Sequence, residues 1–381
     1  MKISFACALV ATVFFIAYTY VNIEYILLQR VEGITNDLYG ENHHKEFDYN
    51  SSIDVSLGNS VAHDDETHSA TEVNNIMPCT PKNNFIFVKT SKTAGSTVGA
   101  ILFRYGLRHK LIAALPNASR ISIADDQVNV TRYTCNNTFP GYNYMANHIE
   151  NYNHKILNRF IPNAKFVTIV RSPYTQMESA FYYRNTDSKL QLNHFRNPFK
   201  EFVDNYEVKY SNHDIQGANG QLKYLGYPNR QYNNQSAVKQ KIADLDTEMD
   251  LVLIKEYLDE SLILLKKLMC WTMDDILYGW CKRSKRTRYP ITKHMKEIMS
   301  KYNAADLQLY NHFNRTLWTK ILNYDGDFEN ELHLFRIRQQ EIASMCKHRE
   351  NTQFCDGLKK DVPKLVSIAR MRQYNIFCNQ H

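Results

Sequence analysis

The sequence predicts an α/β fold: a central, mostly parallel sheet of about five strands, flanked by helices and followed by a helical C-terminal part. Three observations carry that reading. Short apolar runs at 85–89, 165–170 and 250–254 each lead into a segment with helical spacing. Strands that alternate with helices must be joined by crossovers, which makes neighbouring strands parallel. Beyond residue 271 the apolar spacing is almost wholly helical, as in LQLYNHFNRTLWTKIL and ENELHLFRIRQQEIASMCKH. The chain has 381 residues, 44% hydrophobic and 22% charged, which is enough apolar material for a sizeable core. No internal repeat is present.

Residues 3–22 come before this fold. The first 21 residues, MKISFACALVATVFFIAYTYV, include one charged side chain, Lys2. The apolar stretch matches the roughly 20 residues of a membrane-spanning helix, and no small-residue cleavage site follows it. We read 1–2 as a cytoplasmic tail and 3–22 as a signal anchor, with a cleaved signal peptide as the alternative. Either sends the rest of the chain into the secretory lumen. Residues 23–78 are polar and aperiodic, as in VAHDDETHSATEVNN, and are expected to be a flexible stem. The folded domain is expected to span 79–381.

Cysteine and asparagine usage agree with a luminal domain. Seven cysteines follow Cys7 of the anchor: Cys79, Cys135, Cys270, Cys281, Cys346, Cys355 and Cys378. In an oxidising compartment most should pair, and an odd number leaves one free or bridging two chains, so a homodimer stays open. No zinc-type spacing is present. Acceptor sequons start at Asn50, Asn117, Asn129, Asn136, Asn234 and Asn314, and the cluster within 117–138 suggests an exposed, glycosylated surface. The net charge of +7 fits an anionic ligand but is too small to argue for nucleic acid.

The first strand–helix unit reads FIFVKTSKTAGSTV over 85–98. A strand over Phe85–Lys89 gives way to a turn, then to a helix over Ser96–Tyr105 with Val98, Ile101, Leu102 and Tyr105 on one face. Such a turn offers backbone N–H groups and a helix N-terminus to an anion, and a lysine adds a mobile charge. Residues 92–97, KTAGST, contain all of these parts. The order is not that of a nucleoside triphosphate loop, where glycine directly precedes Lys-Ser/Thr. No acidic magnesium ligand ends the next strand either, because Arg171 follows Val170.

The second unit is a buried strand over 165–170, then Arg171-Ser172-Pro173, then a helix over Tyr174–Arg184. Pro173 suits a first helical turn. Arg171 at the strand tip and Ser179 two turns along could reach one phosphate, and a guanidinium offers forked donors for its oxygens. Taken alone, the motif fits equally well an ordinary turn with a salt-bridged arginine. The third unit is a strand over 250–254 followed by a helix from Leu258 to Met269.

Together, Lys-Thr-x-Gly-Ser-Thr after the first strand and Arg-x-Pro with a serine eight residues after the arginine resemble sulfotransferases. Those enzymes use 3′-phosphoadenosine 5′-phosphosulfate (PAPS) and release 3′-phosphoadenosine 5′-phosphate (PAP). The resemblance implies the P-loop-like sulfotransferase fold and no metal requirement. It narrows to galactose 3-O-sulfotransferases, which include galactosylceramide sulfotransferase. The segments that carry it are FVKTSKTAGSTVGAILFRYGLRHKL, ANHIE at 146–150, DLVLIKEYLDESLILLKKLMCWTMDDILY at 250–278 and LYNHFNRTLW at 309–318. It runs from about Cys79 to about Phe328.

The resemblance implies roles residue by residue. Lys92 reaches the phosphosulfate and stabilises developing charge. Thr90, Thr93, Ala94, Gly95, Ser96 and Thr97 hold the 5′-phosphate, and Lys89 adds charge or merely ends its strand. Arg171 and Ser179 hold the 3′-phosphate. His148 matches a family histidine and is the expected base, since an imidazole suits proton removal near neutrality. The acceptor is a galactose-terminated glycolipid or glycan, and the location is the Golgi membrane, single-pass type II, with the domain luminal. A glycosaminoglycan uronic acid acceptor and a non-catalytic glycan-binding protein are the alternatives. Ser91 stands where the vertebrate enzymes commonly have histidine, which puts the acceptor preference in question. The basic run at 281–289 could close over the 3′-phosphate or be a solvated loop. Residues 142–154 and 213–227 are expected to line the acceptor pocket.

Overall fold

The computed structural model describes residues 79–378, apart from 118–119, 125, 134–138, 211–217, 229–230, 280–286, 288 and 349–351. The readings placed on residues 1–78, including the anchor and stem, lie outside the described residues. Among the described residues no helix is long and apolar enough to cross a membrane.

Strand β1 (Phe85–Val88) leads into helix α1 (Gly95–Arg108). Short strands β2 (Ile121–Ala124), β3 (Gln127–Asn129), β4 (Tyr144–Met145) and β5 (Ile149–Glu150) follow, then α2 (His154–Phe160). Strand β6 (Lys165–Val170) leads into α3 (Pro173–Tyr183), α4 (Thr186–Lys189), α5 (Pro198–Asp204), α6 (Gly220–Tyr224) and α7 (Gln235–Glu248). Strand β7 (Leu251–Ile254) leads into α8 (Leu258–Met269). The remainder is helical as expected: α9 (Lys293–Tyr302), α10 (Ala304–Leu322), α11 (Phe328–His348), α12 (Thr352–Lys359) and α13 (Val362–Cys378).

The central sheet has the order β4-β1-β6-β7, and every pair is parallel. Phe85 lies opposite both Tyr144 and Lys165, and Val167 lies opposite Leu251. The sheet has four strands among the described residues, not the expected five. The other short strands form a separate sheet, β3-β2-β5, in which β2 and β3 make an antiparallel hairpin. That hairpin lies inside the sequon-rich stretch. Its Ile121, Ile123 and Val128 are buried while Asn129 is exposed, so only one side of the region faces solvent. β1 and β7 are buried along their whole length. A parallel sheet covered on both faces needs apolar residues at every position, which explains runs without alternation.

Connectivity puts a topological switch point between β1 and β6. From β1 the chain goes to β4 on one flank, then returns to β6 on the other side of β1 and continues to β7. The loops leaving β1 and β6 therefore diverge, and their carboxyl ends bound the opening where such sheets take ligands.

Helix α1 buries the predicted face, Val98, Ile101, Leu102 and Tyr105, with Phe103 added. Helix α13 packs on it; Gln373 holds Ala113 through both N–H and C=O, at 2.8 and 3.1 Å. The last fifty residues, barely diagnostic as sequence, are thus part of the core. Disulfides join Cys79 to Cys270 and Cys346 to Cys355, and Cys378 is also disulfide-bonded. A second core gathers Met177 and Phe181 of α3, Phe199 and Phe202 of α5, and Met295 and Met299 of α9.

Candidate functional site

The loop after β1 is bound to its neighbours at several points. Thr90 Oγ1 donates to the Ile169 carbonyl of β6 and lies 2.7 Å from Thr93 Oγ1. Lys92 and Ala94 take left-handed backbone conformations, with φ of 63° and 68°. For residues with a Cβ this costs about 1–3 kcal/mol each and persists only where the surroundings impose it. Left-handed residues interleaved in a short loop turn backbone N–H groups to a common side, the pattern of an anion nest. Helix α1 begins at once, with no acidic residue in its first turn to occupy the orphan N–H groups.

Gly95 is required here by packing. A Cβ at this position would stand 2.9 Å from Lys89 Cγ and 3.3 Å from the Thr90 carbonyl. The Lys89 stem therefore crosses the first turn of α1. Its ammonium is pushed below the usual lysine range by burial and by Lys92. Lys92 is pushed down by burial and by Arg171 and Arg184. Positive charges crowd one another at this loop, and an anion would relieve that repulsion.

Arg171, buried at the tip of β6, laces the second motif to the first. Its Nη1 donates to the Lys92 carbonyl at 3.0 Å and its Nε to Thr175 Oγ1 at 2.9 Å. One turn further, Gln176 Nε2 donates to the Ser91 carbonyl at 3.0 Å. Pro173 is in the first turn of α3, as expected. Positions 175, 179 and 183 are spaced by four and share one face of α3. Arg171 bonds Thr175 at one end of this stripe, and the Lys92 ammonium sits 3.8 Å over the Tyr183 ring at the other. Ser179, half-buried, lies between them. Glu256, after β7, accepts the Ser172 N–H at 3.2 Å and so caps α3.

His148 sits just before β5, with Nδ1 3.1 Å from the Lys89 carbonyl. Burial, then the Lys89 charge, lowers its pKa to about 4. The ring is therefore neutral near pH 7. A carbonyl can only accept, so Nδ1 holds the proton and Nε2 keeps its lone pair. The Tyr224 ring of α6 lies 5.7 Å away, centroid to centroid.

The structure thus gathers Lys89, Thr90, Lys92, Thr93, Gly95, Arg171 and His148 around one loop. It redistributes the expected acceptor lining. Within 213–227, residues 213–217 lie outside the described residues, while Gln221, Leu222, Leu225 and Tyr227 are buried. Among the described residues of that segment, the Tyr224 ring lies against the histidine. Within 142–154, Tyr144, Met145 and Ala146 belong to the core. Of the basic run at 281–289, only Thr287 and Tyr289 are described. Sequence reasoning missed Gln176, Tyr183, Gln221 and Glu256. Gln176 and Tyr183 could have been found by projecting α3 from Arg171; Gln221 and Glu256 had no local signal. The position of Ser91 is tied through its backbone carbonyl, so that bond does not depend on the side chain found there.

Comparison with known proteins shows which family the chain resembles. A galactose-3-O-sulfotransferase family model matches residues 51–360, a longer span than the sequence resemblance alone suggested. Galactose-3-O-sulfotransferase 2 of Mus musculus is 31% identical over 281 residues, covering 70% of each chain. Galactosylceramide sulfotransferase of Homo sapiens is 30% identical over 284 residues, covering 70% of this chain and 65% of its own. Galactose-3-O-sulfotransferase 3 of Bos taurus is 31% identical over 278 residues, covering 71% of this chain and 65% of its own. With the family model spanning most of the chain and relatives about 30% identical over most of its length, the chain belongs to the galactose-3-O-sulfotransferase family of carbohydrate sulfotransferases.

Proposed function

We propose that the protein moves the sulfuryl group of PAPS to the 3-hydroxyl of a β-galactose on a glycolipid or glycan. The observation that carries this reading is the junction of the two motifs: Arg171 bonds the Lys92 carbonyl, so both lie at one opening of the sheet. One donor with two separate phosphates explains why two motifs share that opening. The crowding of Lys89, Lys92, Arg171 and Arg184 suits such a polyanion.

In this reading Thr90, Lys92, Thr93, Ala94, Gly95, Ser96 and Thr97, with Lys89, hold the 5′ end of the donor. Arg171 and Ser179 hold the 3′-phosphate. The donor supplies a sulfuryl group on a phosphate leaving group. His148 Nε2 takes the proton of the galactose hydroxyl as its oxygen bonds to sulfur and the sulfur–oxygen bond to phosphate breaks. The Nδ1–H bond to Lys89 fixes tautomer and ring plane. Lys92 offsets the charge that develops on the departing phosphate. The reading also places the chain in the Golgi membrane, with residues 3–22 as anchor, 23–78 as stem and 79–381 luminal.

The test is incubation of the full chain, expressed in a secretory host, with PAPS and a panel of galactose-terminated lipids and glycans. The product is read by mass and linkage. Addition of one sulfate at galactose O3, lost in Lys92→Ala and His148→Ala, is expected. Transfer only to uronic acid acceptors, or PAP binding without transfer, overturns it.

A further inference from the structure

Helix α6 is five residues long, too short to be stable by itself, yet it is fixed by a dense set of buried polar bonds. Asp306, fully buried at the start of α10, accepts the N–H groups of Gln221 at 3.0 Å and Leu222 at 2.9 Å. Asn219 returns the favour from the left-handed residue before α6: its Oδ1 accepts the N–H groups of Ala305 and Asp306, both at 3.1 Å. Asn303 Oδ1 accepts the Asn219 N–H at 2.9 Å. The two helix N-termini therefore cap each other, and α6 cannot shift without leaving buried N–H groups unpaired.

What α6 holds is the backbone of Arg171. Gln221, itself without solvent exposure, accepts the Arg171 N–H through Oε1 at 2.8 Å and donates Nε2–H to the Arg171 carbonyl at 2.9 Å. Arg171 is the first residue past β6, where the strand ladder no longer supplies partners, and the amide satisfies both of its peptide groups. The same two-point clasp recurs where Gln373 holds Ala113 and Gln339 holds Tyr278. Those clasps fasten helices to chain segments that hold none of the site residues. At Gln221 the fastened residue is the arginine that laces the two loops.

We propose that Gln221, locked in place by Asp306, is a positioning residue for the donor: it sets the backbone from which the Arg171 guanidinium reaches both the Lys92 carbonyl and the donor's 3′-phosphate. This rests on the donor assignment given under Proposed function. It predicts a defect centred on donor binding, with a smaller loss in the chemical step passed on through the Arg171–Lys92 bond, because no bond of the clasp touches His148 or the acceptor.

The experiment uses the purified full chain and PAP as the binding probe, with PAPS and a galactoside acceptor for kinetics. Gln221→Met keeps the volume and removes both bonds. It is expected to raise the Kd for PAP and the KM for PAPS about tenfold, with kcat and the acceptor KM changed less than about threefold. Gln373→Met removes an equivalent clasp elsewhere. It is expected to lower thermal stability while leaving PAP affinity within about twofold. If Gln221→Met does not fold, Gln221→Glu is the second variant, followed with pH against wild type: the protonated carboxyl keeps both bonds, whereas the buried carboxylate keeps the acceptor for the Arg171 N–H but faces the Arg171 carbonyl without a proton. Its PAP affinity is expected to fall relative to wild type as the carboxyl ionises, and a ratio that stays flat with pH overturns the inference. PAP affinity unchanged in the Gln221 variant, while Arg171→Ala loses it, overturns the inference and leaves the donor site standing. Absence of PAP binding in the wild type, or an Arg171→Ala variant that binds normally, overturns both.

Discussion

Gly95→Ala tests the proposed donor loop by its smallest perturbation, a single methyl group. The new Cβ would lie 2.9 Å from Lys89 Cγ, 3.4 Å from its Cε and 3.3 Å from the Thr90 carbonyl. Carbon–carbon contacts are comfortable at about 3.5–4.0 Å, so the stem must retreat by roughly 0.6–1 Å. Cγ is the second carbon out from the backbone, and rotation at the far end of the side chain cannot relieve the clash. Lys89 or the loop itself must move, and the Lys89 carbonyl is the His148 partner. Overpacking of this kind costs about 1–3 kcal/mol. Alanine gains up to about 1 kcal/mol over glycine in a helix. The net loss, roughly 0–2 kcal/mol, leaves a typical domain folded. Displacing one charged contact to the donor costs about 1.5–3 kcal/mol, or roughly 10–150-fold in PAP affinity. The assay pairs calorimetric PAP binding with thermal unfolding. Gly357→Ala in α12 is the control, because its added Cβ meets nothing within 4 Å. Normal PAP affinity in Gly95→Ala, with a stability change of the expected size, would refute the claim that the Lys89 stem and this turn form the donor site.

Three further outcomes follow from particular groups. The pKa of His148 lies near 4, so the acid limb of kcat/KM for PAPS is expected near pH 4, and a limb near 6.5 would show an ordinary, solvated imidazole. Burial raises the Asp306 carboxyl from 3.8 to about 7 in the fold. The native state then binds the extra proton, so its contribution to stability is complete below about pH 4 and declines as pH rises toward 7. The depressed His148 acts in the opposite sense, weakening the fold as pH falls below its usual value. The check is therefore the difference between wild type and Asp306→Asn in denaturant unfolding from pH 4 to 8, which should lose the Asp306 slope; parallel curves would contradict the assignment. Gly106→Ala places a Cβ 2.4–2.6 Å from three atoms of the buried Tyr144 side chain. It should destabilise by about 3 kcal/mol or more, read as a fall in Tm, and a fall no larger than that of Gly99→Ala would be inconsistent with this packing.

The sequence by itself determined the parts whose chemistry is local. Apolar runs without alternation specified buried parallel strands, because both faces of each must be covered. The Lys-Thr-x-Gly-Ser-Thr turn marked a helix N-terminus open to an anion, and Pro173 marked the start of the next helix. Nothing local revealed the hairpin of β2 and β3, whose few residues read as a polar surface until their isoleucines find the core. Only tertiary structure decided what the site is made of. The Lys92 carbonyl and Arg171 are 79 residues apart, Gln221 and Arg171 are 50 apart, and Asp306 lies 85 beyond Gln221. These pairings join backbone groups left unpaired at strand and helix ends to side chains from distant elements. Such a group has no signature of its own in a sequence, since every residue has the same N–H and C=O. Its partner is chosen by which elements the sheet order brings side by side, and here β1 next to β6 set that choice.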